Sequence, residues 1–309
     1  MTTASRDAST TRWTGPALAF PASLVVLLVM LVPVLQLARY SLNHFDPTAL
    51  MQSALSLENY ARFFGDPYYR AIFVTTLWVS ALCTVLALVL GFPVAYVLAR
   101  TQSRHKSLFV ILLVFPLIVG NVVRAAGWMV ALGNAGVLNV LLARLHLIDK
   151  PLTLMYTPTA VVIGTTGVVM PYLILTLQSV LEGMDTSVEE AARNLGANAF
   201  TTFRRVVLPI AAPGVAAGTM LVFILCMNAY ATPVLLGGSG ITMMAPALYS
   251  QITRASNWPF GAALSVILVL GTLVIALLSN WLIHRRYVKT MTSSVASSVT
   301  SSVSSSMAS

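Results

Sequence analysis

Six long apolar stretches, separated by short polar segments, dominate this sequence. A helix needs about 20 apolar residues to cross the hydrocarbon core of a bilayer, and helices satisfy their own backbone hydrogen bonds there. Only 9% of the residues are charged, whereas soluble domains carry roughly 25%. The sequence therefore predicts an all-α membrane protein with six transmembrane helices. The predicted spans are residues 17–38, 72–99, 108–129, 159–181, 214–236 and 262–283.

The basic residues indicate how the spans are oriented. Cytoplasmic segments of membrane proteins carry an excess of Lys and Arg. If both termini are cytoplasmic, 11 of the 18 Lys and Arg residues lie inside, six lie outside and Arg124 lies within the membrane. This distribution explains the net charge of +9 without a nucleic-acid ligand. We therefore expect both termini, and the polar segment at residues 182–213, to be cytoplasmic.

Residues 182–213 form the longest charged interval between two apolar segments. Thr186 followed by Glu189 has the pattern of a capping box, which begins a helix. Gly196 suits the left-handed backbone that closes a helix. A second short helix is expected at residues 198–206, ended by Pro209 and Pro213. The sequence thus predicts two short helices whose exposed face, small at Ala191 and Ala192, docks into a groove on a partner.

The same segment resembles the EAA loop of ABC importer permeases. Glu190, Ala191 and Ala192 are followed by Gly196 and then by Leu208 and Pro209 at the spacing of that loop, with Val206 in place of its usual isoleucine. The resemblance implies that this loop couples the chain to a cytoplasmic ATPase. The residues that it assigns to coupling are Glu189, Glu190, Ala191, Ala192, Gly196, Leu208 and Pro209.

Further short motifs between residues 59 and 261 are similar to those of permeases of the spermidine/putrescine type. They include Asn59-Tyr60, residues 91–96, residues 157–164 and residues 258–261. This resemblance implies the type I ABC importer fold and the import of a polyamine through the bacterial inner membrane. It also implies three partners: a second permease subunit in a heterodimer, a cytoplasmic ABC ATPase dimer and a periplasmic solute-binding protein.

The chain is expected to have three parts. Residues 1–16 form a cytoplasmic N-terminal segment, and residues 17–289 form the permease domain with the loop at 182–213. Residues 290–309 are almost entirely Ser, Thr, Val and Ala, a composition too poor in large apolar side chains to pack, so we expect this tail to be disordered.

No catalytic or cofactor-binding pattern is present in the sequence. The four histidines are scattered and lack metal-ligand spacing, and both cysteines lie in apolar segments. The phosphate-binding pattern Gly-x-x-x-x-Gly-Lys-Ser/Thr is absent. We therefore expect a transport subunit without an ATPase site, a metal or a cofactor, whose energy comes from another chain.

Polar and aromatic residues within the spans are the candidates for the solute path, because polar groups are costly in hydrocarbon. Arg124 and Asn228 have alternative interpretations, the first as a side chain that reaches the membrane interface and the second as an interhelical hydrogen bond. All nine acidic residues lie outside the predicted spans, so no carboxylate of this chain is expected in mid-membrane. The candidate path residues are Asn121, Arg124, Trp128, Tyr172, Gln178, Asn228 and Tyr230.

Several other functions remain open from the residues alone. The same permease role could serve another small solute, such as an amino-acid derivative or a phosphonate. A secondary transporter would need coupling groups or broken-helix repeats within the membrane, and the sequence shows no acid there. A membrane enzyme would need a nucleophile or a metal site, and a scaffold would leave the coupling-type loop without a role.

Overall fold

The computed structural model describes residues 11–279 and 281, with side chains from residue 20 onward, and the regular structure in this range is helical. The predicted Ser-rich tail, and most of the predicted N-terminal segment, lie outside the described residues. Two π-helical turns, Phe203–Val207 and Pro233–Gly237, accompany the α-helices. The α-helices are α1 (Thr11–Tyr40), α2 (Glu58–Gly65), α3 (Pro67–Arg100), α4 (Lys106–Ile118), α5 (Asn121–Leu132), α6 (Val137–Arg144), α7 (Pro158–Glu182), α8 (Ser187–Asn194), α9 (Ala199–Thr202), α10 (Leu208–Met227), α11 (Met244–Thr253) and α12 (Trp258–Ser279).

Six helical segments of the described chain are long and apolar enough to cross a membrane, which confirms the predicted number. Their bounds differ from the prediction mainly at the third, fifth and sixth spans, and α3 begins earlier, at Pro67. The segments are Phe20–Tyr40, Pro67–Arg100, Asn121–Arg144, Pro158–Glu182, Ala199–Met227 and Trp258–Ser279.

The prediction of one continuous third span at residues 108–129 is wrong. Helix α4 ends at Ile118 and α5 begins at Asn121, because Val119 and Gly120 have extended backbones. The break follows Pro116, which lacks an amide hydrogen and weakens the helix around it. It also precedes Asn121 and Arg124, so polar side chains and a non-helical backbone occur together here. Non-helical backbone at membrane depth is tolerated where protein or a cavity surrounds it.

The prediction that Pro209 and Pro213 end a short helix is also wrong. Helical structure continues from Ala199 to Met227 through the π-helical turn. Pro209 is the second residue of α10 and directly follows the π-helical turn, so its missing amide hydrogen falls where the regular α-helical hydrogen bonding is already interrupted. The fifth span therefore begins earlier than the predicted residue 214. It also ends earlier, since the α-helix stops at Met227.

The described residues form two compact units. In the larger one, residues 67–247 with 268–279, α3, α7 and α10 pack against one another. A Cβ atom added to Gly214 of α10 would lie 2.5 Å from Cγ1 of Val180 in α7. Small residues permit such close approach of membrane helices. The core of this unit consists of buried side chains from the three helices, among them Cys83, Leu173, Ile174, Leu177, Val222 and Cys226.

The smaller unit contains residues 11–66 and 248–267. Asn59 donates to the backbone carbonyls of Ser41 and Asn43, each at 2.9 Å, and so ties α2 to the loop after α1. The guanidinium of Arg62 lies 4.6 Å from the centre of the Phe260 ring, which is a cation–π contact. These contacts hold this unit together without residues from the predicted coupling loop.

Candidate coupling site and transmembrane cavity

The helix at the centre of the coupling loop begins differently from the predicted capping box. Thr186 has a helical backbone, and its side chain makes no cap hydrogen bond. Instead, the amide of Ser187 donates to Oδ1 of Asp185 at 2.9 Å. The pKa of Asp185 is lowered below its usual value, mainly by this hydrogen bond from the backbone. Asp185 therefore supplies the negative charge that suits the start of α8.

Glu189 does not cap the helix, and its side chain points into the protein. Its side chain is only 6% exposed. Oε2 accepts a hydrogen bond from the hydroxyl of Tyr96 at 2.7 Å, and Oε1 accepts from Nε of Arg100 at 3.0 Å and also from Nη2. Charge-assisted hydrogen bonds of this kind are roughly twice as strong as neutral ones. Glu189 thus fastens α8 to the last two turns of α3.

Arg100 extends the same network to α7. Its Nη1 donates to the backbone carbonyl of Leu181 at 2.8 Å. Beside it, Nζ of Lys106 lies 2.8 Å from Oε1 of Glu182, and Nε2 of Gln178 donates to the same carboxylate at 2.9 Å. The ends of α3 and α7 and the start of α4 are therefore connected by charged groups at one end of the larger unit.

The face of the loop that points away from this network is exposed. Glu190 and Ala191 are exposed, and Ala192 is half-buried. The side chain of Leu195 is 89% exposed and that of Phe200 is 70% exposed. Two large apolar residues beside small ones and an acid form a surface suited to a groove on another protein.

Gly196 separates the two short helices of the loop. Its φ of +85° lies in the left-handed region, and an added Cβ would meet no atom within 4 Å. This agrees with the expected role of Gly196 in closing α8. After it, Phe203 packs edge-on against Phe92 and Tyr96 of α3, with ring centres 5.2 and 6.3 Å apart. The loop is thus held to α3 by an apolar contact as well as by Glu189.

A cavity of about 390 Å³ lies between α5, α7, the end of α10 and the segment after it. Five of the seven residues expected along the solute path line it: Asn121, Arg124, Tyr172, Asn228 and Tyr230. Thr165 and Thr232 add hydroxyl groups to the wall. Two of these residues, Asn121 and Arg124, lie in the first turn of α5, directly after the break between α4 and α5. The break that contradicts a continuous third span is therefore next to the cavity.

The two remaining path candidates lie elsewhere. Trp128 is half-buried, and its indole covers Gly167 of α7 so closely that a Cβ there would clash with it. Gln178 is buried and hydrogen-bonded to Glu182 in the charged network at the end of α7. Trp128 therefore packs between helices in this structure, and Gln178 belongs to the charged network at the end of α7.

Arg124 gives the cavity its charge. Its Nη2 donates to Oδ1 of Asn121, while Nε and Nη1 are buried without a hydrogen-bond partner among the described residues. No acidic residue lines the cavity. An arginine at the centre of a bilayer costs about 2.5–3.5 kcal/mol on insertion scales, so this placement is compatible only with a specific partner or with water in the cavity.

Sequence reasoning missed Tyr96, Arg100, Lys106 and Thr165. The sequence uses Arg100 and Lys106 only as charges that set orientation, and it gives Glu189 a capping role and a coupling role but no partner inside the subunit. The available signal was the pairing of two adjacent acids, Glu189 and Glu190, with basic residues just after the second span. Sequence spacing alone does not show which acid turns inward.

The family of binding-protein-dependent transport system inner membrane components matches residues 49–287. The chain belongs to this family. It is a transmembrane permease subunit of a bacterial ABC importer, located in the inner membrane and acting in transport rather than as an enzyme.

Individual relatives and solved structures agree with the family. The permease is 32% identical over 263 residues to the spermidine/putrescine transport system permease protein PotB of Haemophilus influenzae, covering 83% of this chain and 91% of the relative. It is also 32% identical to PotB of Escherichia coli, with 79% and 89% covered. Its fold is similar to a chain of a bacterial ABC transporter that imports the acidic polysaccharide alginate. That match has a TM-score of 0.72 at 15% identity and covers 89% of this chain and 96% of that one.

Proposed function

We propose that this permease carries polyamines such as spermidine and putrescine across the inner membrane as part of an ATP-driven importer. The observation that carries the proposal is the similarity of most of the chain to permeases named for spermidine and putrescine transport. The proposed complex contains a second, related permease subunit, a dimer of cytoplasmic ABC ATPases and a periplasmic solute-binding protein. Both termini of this chain lie in the cytoplasm in this proposal.

The coupling loop is proposed to transmit the movement of the ATPase to the spans. The exposed face with Glu190, Ala191, Leu195 and Phe200 would occupy a groove of the ATPase. When the ATPase dimer closes, α8 moves, and the hydrogen bonds of Glu189 carry that movement to α3. Because Arg100 also binds the carbonyl of Leu181, the movement reaches α7 as well.

The solute path is proposed to pass the cavity lined by Asn121, Arg124, Tyr172, Asn228 and Tyr230. The side chains of Tyr172 and Tyr230 offer aromatic faces to ammonium groups, and Asn228 offers an amide. Trp128 supports the wall from between the helices. Three further residues shape the loop and do not contact the solute: Gly196, and Leu208 and Pro209 at the start of α10. Gln178 acts in the coupling region.

The proposal is tested by uptake of radiolabelled spermidine and putrescine into cells that carry the whole importer, with and without this subunit. We expect uptake to depend on the subunit and to be lost in Glu190→Lys, while the variant protein still reaches the membrane. Unchanged polyamine uptake without the subunit would show that polyamines are not the solute of this permease. Retention of a different solute by the cognate binding protein would assign that solute instead.

A further inference from the structure

The side chain of Arg124 lies at the depth of the middle of α7. Thr165 and Tyr172, which line the same cavity, are seven and fourteen residues after Pro158, the first of the 25 residues of α7. At 1.5 Å per residue, they lie about 10 and 20 Å along the helix from its start. Both positions are away from the two ends of α7, which favours a role for Arg124 in the cavity over a guanidinium that reaches the headgroups.

The guanidinium is charged and incompletely bound at this depth. Arginine keeps its proton in proteins, so it cannot become neutral as a buried lysine can. Asn121 supplies a neutral oxygen to Nη2, but Nε and Nη1 are buried and have no acceptor in the part of the chain that the structure describes. The hydroxyl of Thr165, in the same cavity wall, is likewise buried without a partner.

This chain does not provide the missing negative charge from its described residues. No carboxylate lines the cavity, and Glu182 and Glu189 are engaged by Lys106 and Arg100. A polyamine is itself a cation and is repelled by Arg124. A buried charge needs an opposite charge and hydrogen bonds to offset its desolvation. Because the described residues supply no such charge, a neighbouring subunit is the source that we consider here.

The rim of the cavity allows such an approach. Asn121, Asn228 and Tyr230 are at least partly exposed at the surface of the larger unit. Val122, which also lines the cavity, has 62% of its side chain exposed. This exposed rim is the side from which a side chain of a neighbouring subunit would approach Arg124.

We propose that Arg124 forms a buried ion pair with an aspartate or glutamate of the second permease subunit, inside the transmembrane cavity. The inference rests on the proposed function, because it requires a second permease. The pair neutralises the cavity while no solute is present. When a polyamine arrives, its ammonium groups compete with Arg124 for the same carboxylate, and the path gains the negative charge that this chain lacks.

The first test uses the complete importer in proteoliposomes. We expect Arg124→Ala to lower spermidine uptake by about tenfold or more, because removal of one partner leaves the other charge buried and unpaired. Arg124→Glu should abolish uptake through like-charge repulsion. The matched control is Arg144→Ala, which removes an exposed arginine at the end of α6 and should leave uptake unchanged.

The second test identifies the partner residue. Each acidic residue in the membrane spans of the second permease is replaced by arginine in the Arg124→Glu background, and uptake is measured. We expect one exchange to restore uptake. In a background with Cys83→Ala and Cys226→Ala, Arg124→Cys should form a disulfide with a cysteine substituted at that same partner position after mild oxidation.

The outcomes separate this inference from the proposed function. If no second permease co-purifies with the wild-type chain, the proposed complex is wrong, and the proposed ion pair is wrong as well. If the second permease co-purifies but no exchange restores uptake and no cross-link forms, the ion pair alone is wrong. If the binding protein retains an anionic solute and Arg124→Ala raises only its KM, the solute supplies the anion and the inference is overturned.

Discussion

Glu189, in the first turn of α8, accepts two hydrogen bonds from the guanidinium of Arg100, which lies 89 residues earlier at the end of α3. The adjacent Glu190 is exposed. Two neighbouring acids therefore have different surroundings, since one is bound inside the subunit and the other faces outward. In a protein driven by a separate ATPase, this arrangement is suited to passing a movement from the loop to the spans.

The first prediction concerns Glu189→Gln. The glutamine keeps the size of the side chain but loses the charge that binds Arg100, and a hydrogen bond to a charged group contributes about 1.5–3 kcal/mol. We expect a lower unfolding temperature of the purified complex and faster proteolysis of the loop between α7 and α10. We also expect ATP hydrolysis to continue while solute uptake falls. The same measurement on the isolated subunit provides the control, because Glu189→Gln should lower its unfolding temperature and Glu190→Gln, at an exposed residue, should leave it unchanged.

The second prediction concerns Gly196→Ala and Gly196→Trp. A Cβ at position 196 meets no atom within 4 Å, so the effect of Gly196→Ala comes from the left-handed backbone, which costs a residue with a Cβ about 1–2 kcal/mol. Gly196→Trp adds a large side chain to the same backbone change. We expect both variants to insert normally, with reduced coupling of ATP hydrolysis to uptake. Gly183→Ala, at a residue of the same loop region with φ of −74°, should couple normally. Normal uptake by Gly196→Trp would contradict a rigid loop.

The sequence predicted the number of spans and the short helices between the fourth and fifth spans, because apolar length and helix start and stop signals are local features. It failed at the third span, where the apolar stretch is continuous up to Asn121 and gives little sign that Val119 and Gly120 leave the helix. It also failed at Pro209 and Pro213. Proline breaks an isolated helix, but here a π-helical turn precedes the first proline, and packing against α7 supports the helix that follows.

The candidate path residues were chosen one at a time for polarity, and their grouping depends on tertiary structure. Arg124 and Asn228 are more than 100 positions apart in the sequence, yet they line one cavity. Gln178 meets the same polar criterion, but it lies about 1.7 helical turns beyond Tyr172 and is hydrogen-bonded in the charged network. The choice of Glu189 over Glu190 as the inward acid depends on the position of Arg100, which local sequence does not encode.

The third prediction concerns the exposed apolar residue Leu195. Leu195→Ser removes an apolar side chain that is 89% exposed, so the stability of the isolated subunit should change by less than about 0.5 kcal/mol. If the loop docks into the ATPase, the same change should weaken retention of the ATPase by the tagged permease. Leu145→Ser, at a residue with 58% exposure in the segment after α6, is the control and should retain the ATPase. Equal retention by both variants would place the docking surface elsewhere.

The fourth prediction concerns the contact between α10 and α7. A methyl group at Gly214 would lie 2.5 Å from both methyl groups of Val180, so Gly214→Ala should destabilise the subunit by about 1–3 kcal/mol through overpacking. Val180→Ala alone leaves a small cavity, and the double variant Gly214→Ala with Val180→Ala should recover part of the loss because the new methyl group occupies the space that valine vacates. Thermal unfolding of the detergent-purified subunit measures all three variants. Strictly additive losses would contradict this account, since residues in contact are expected to be coupled.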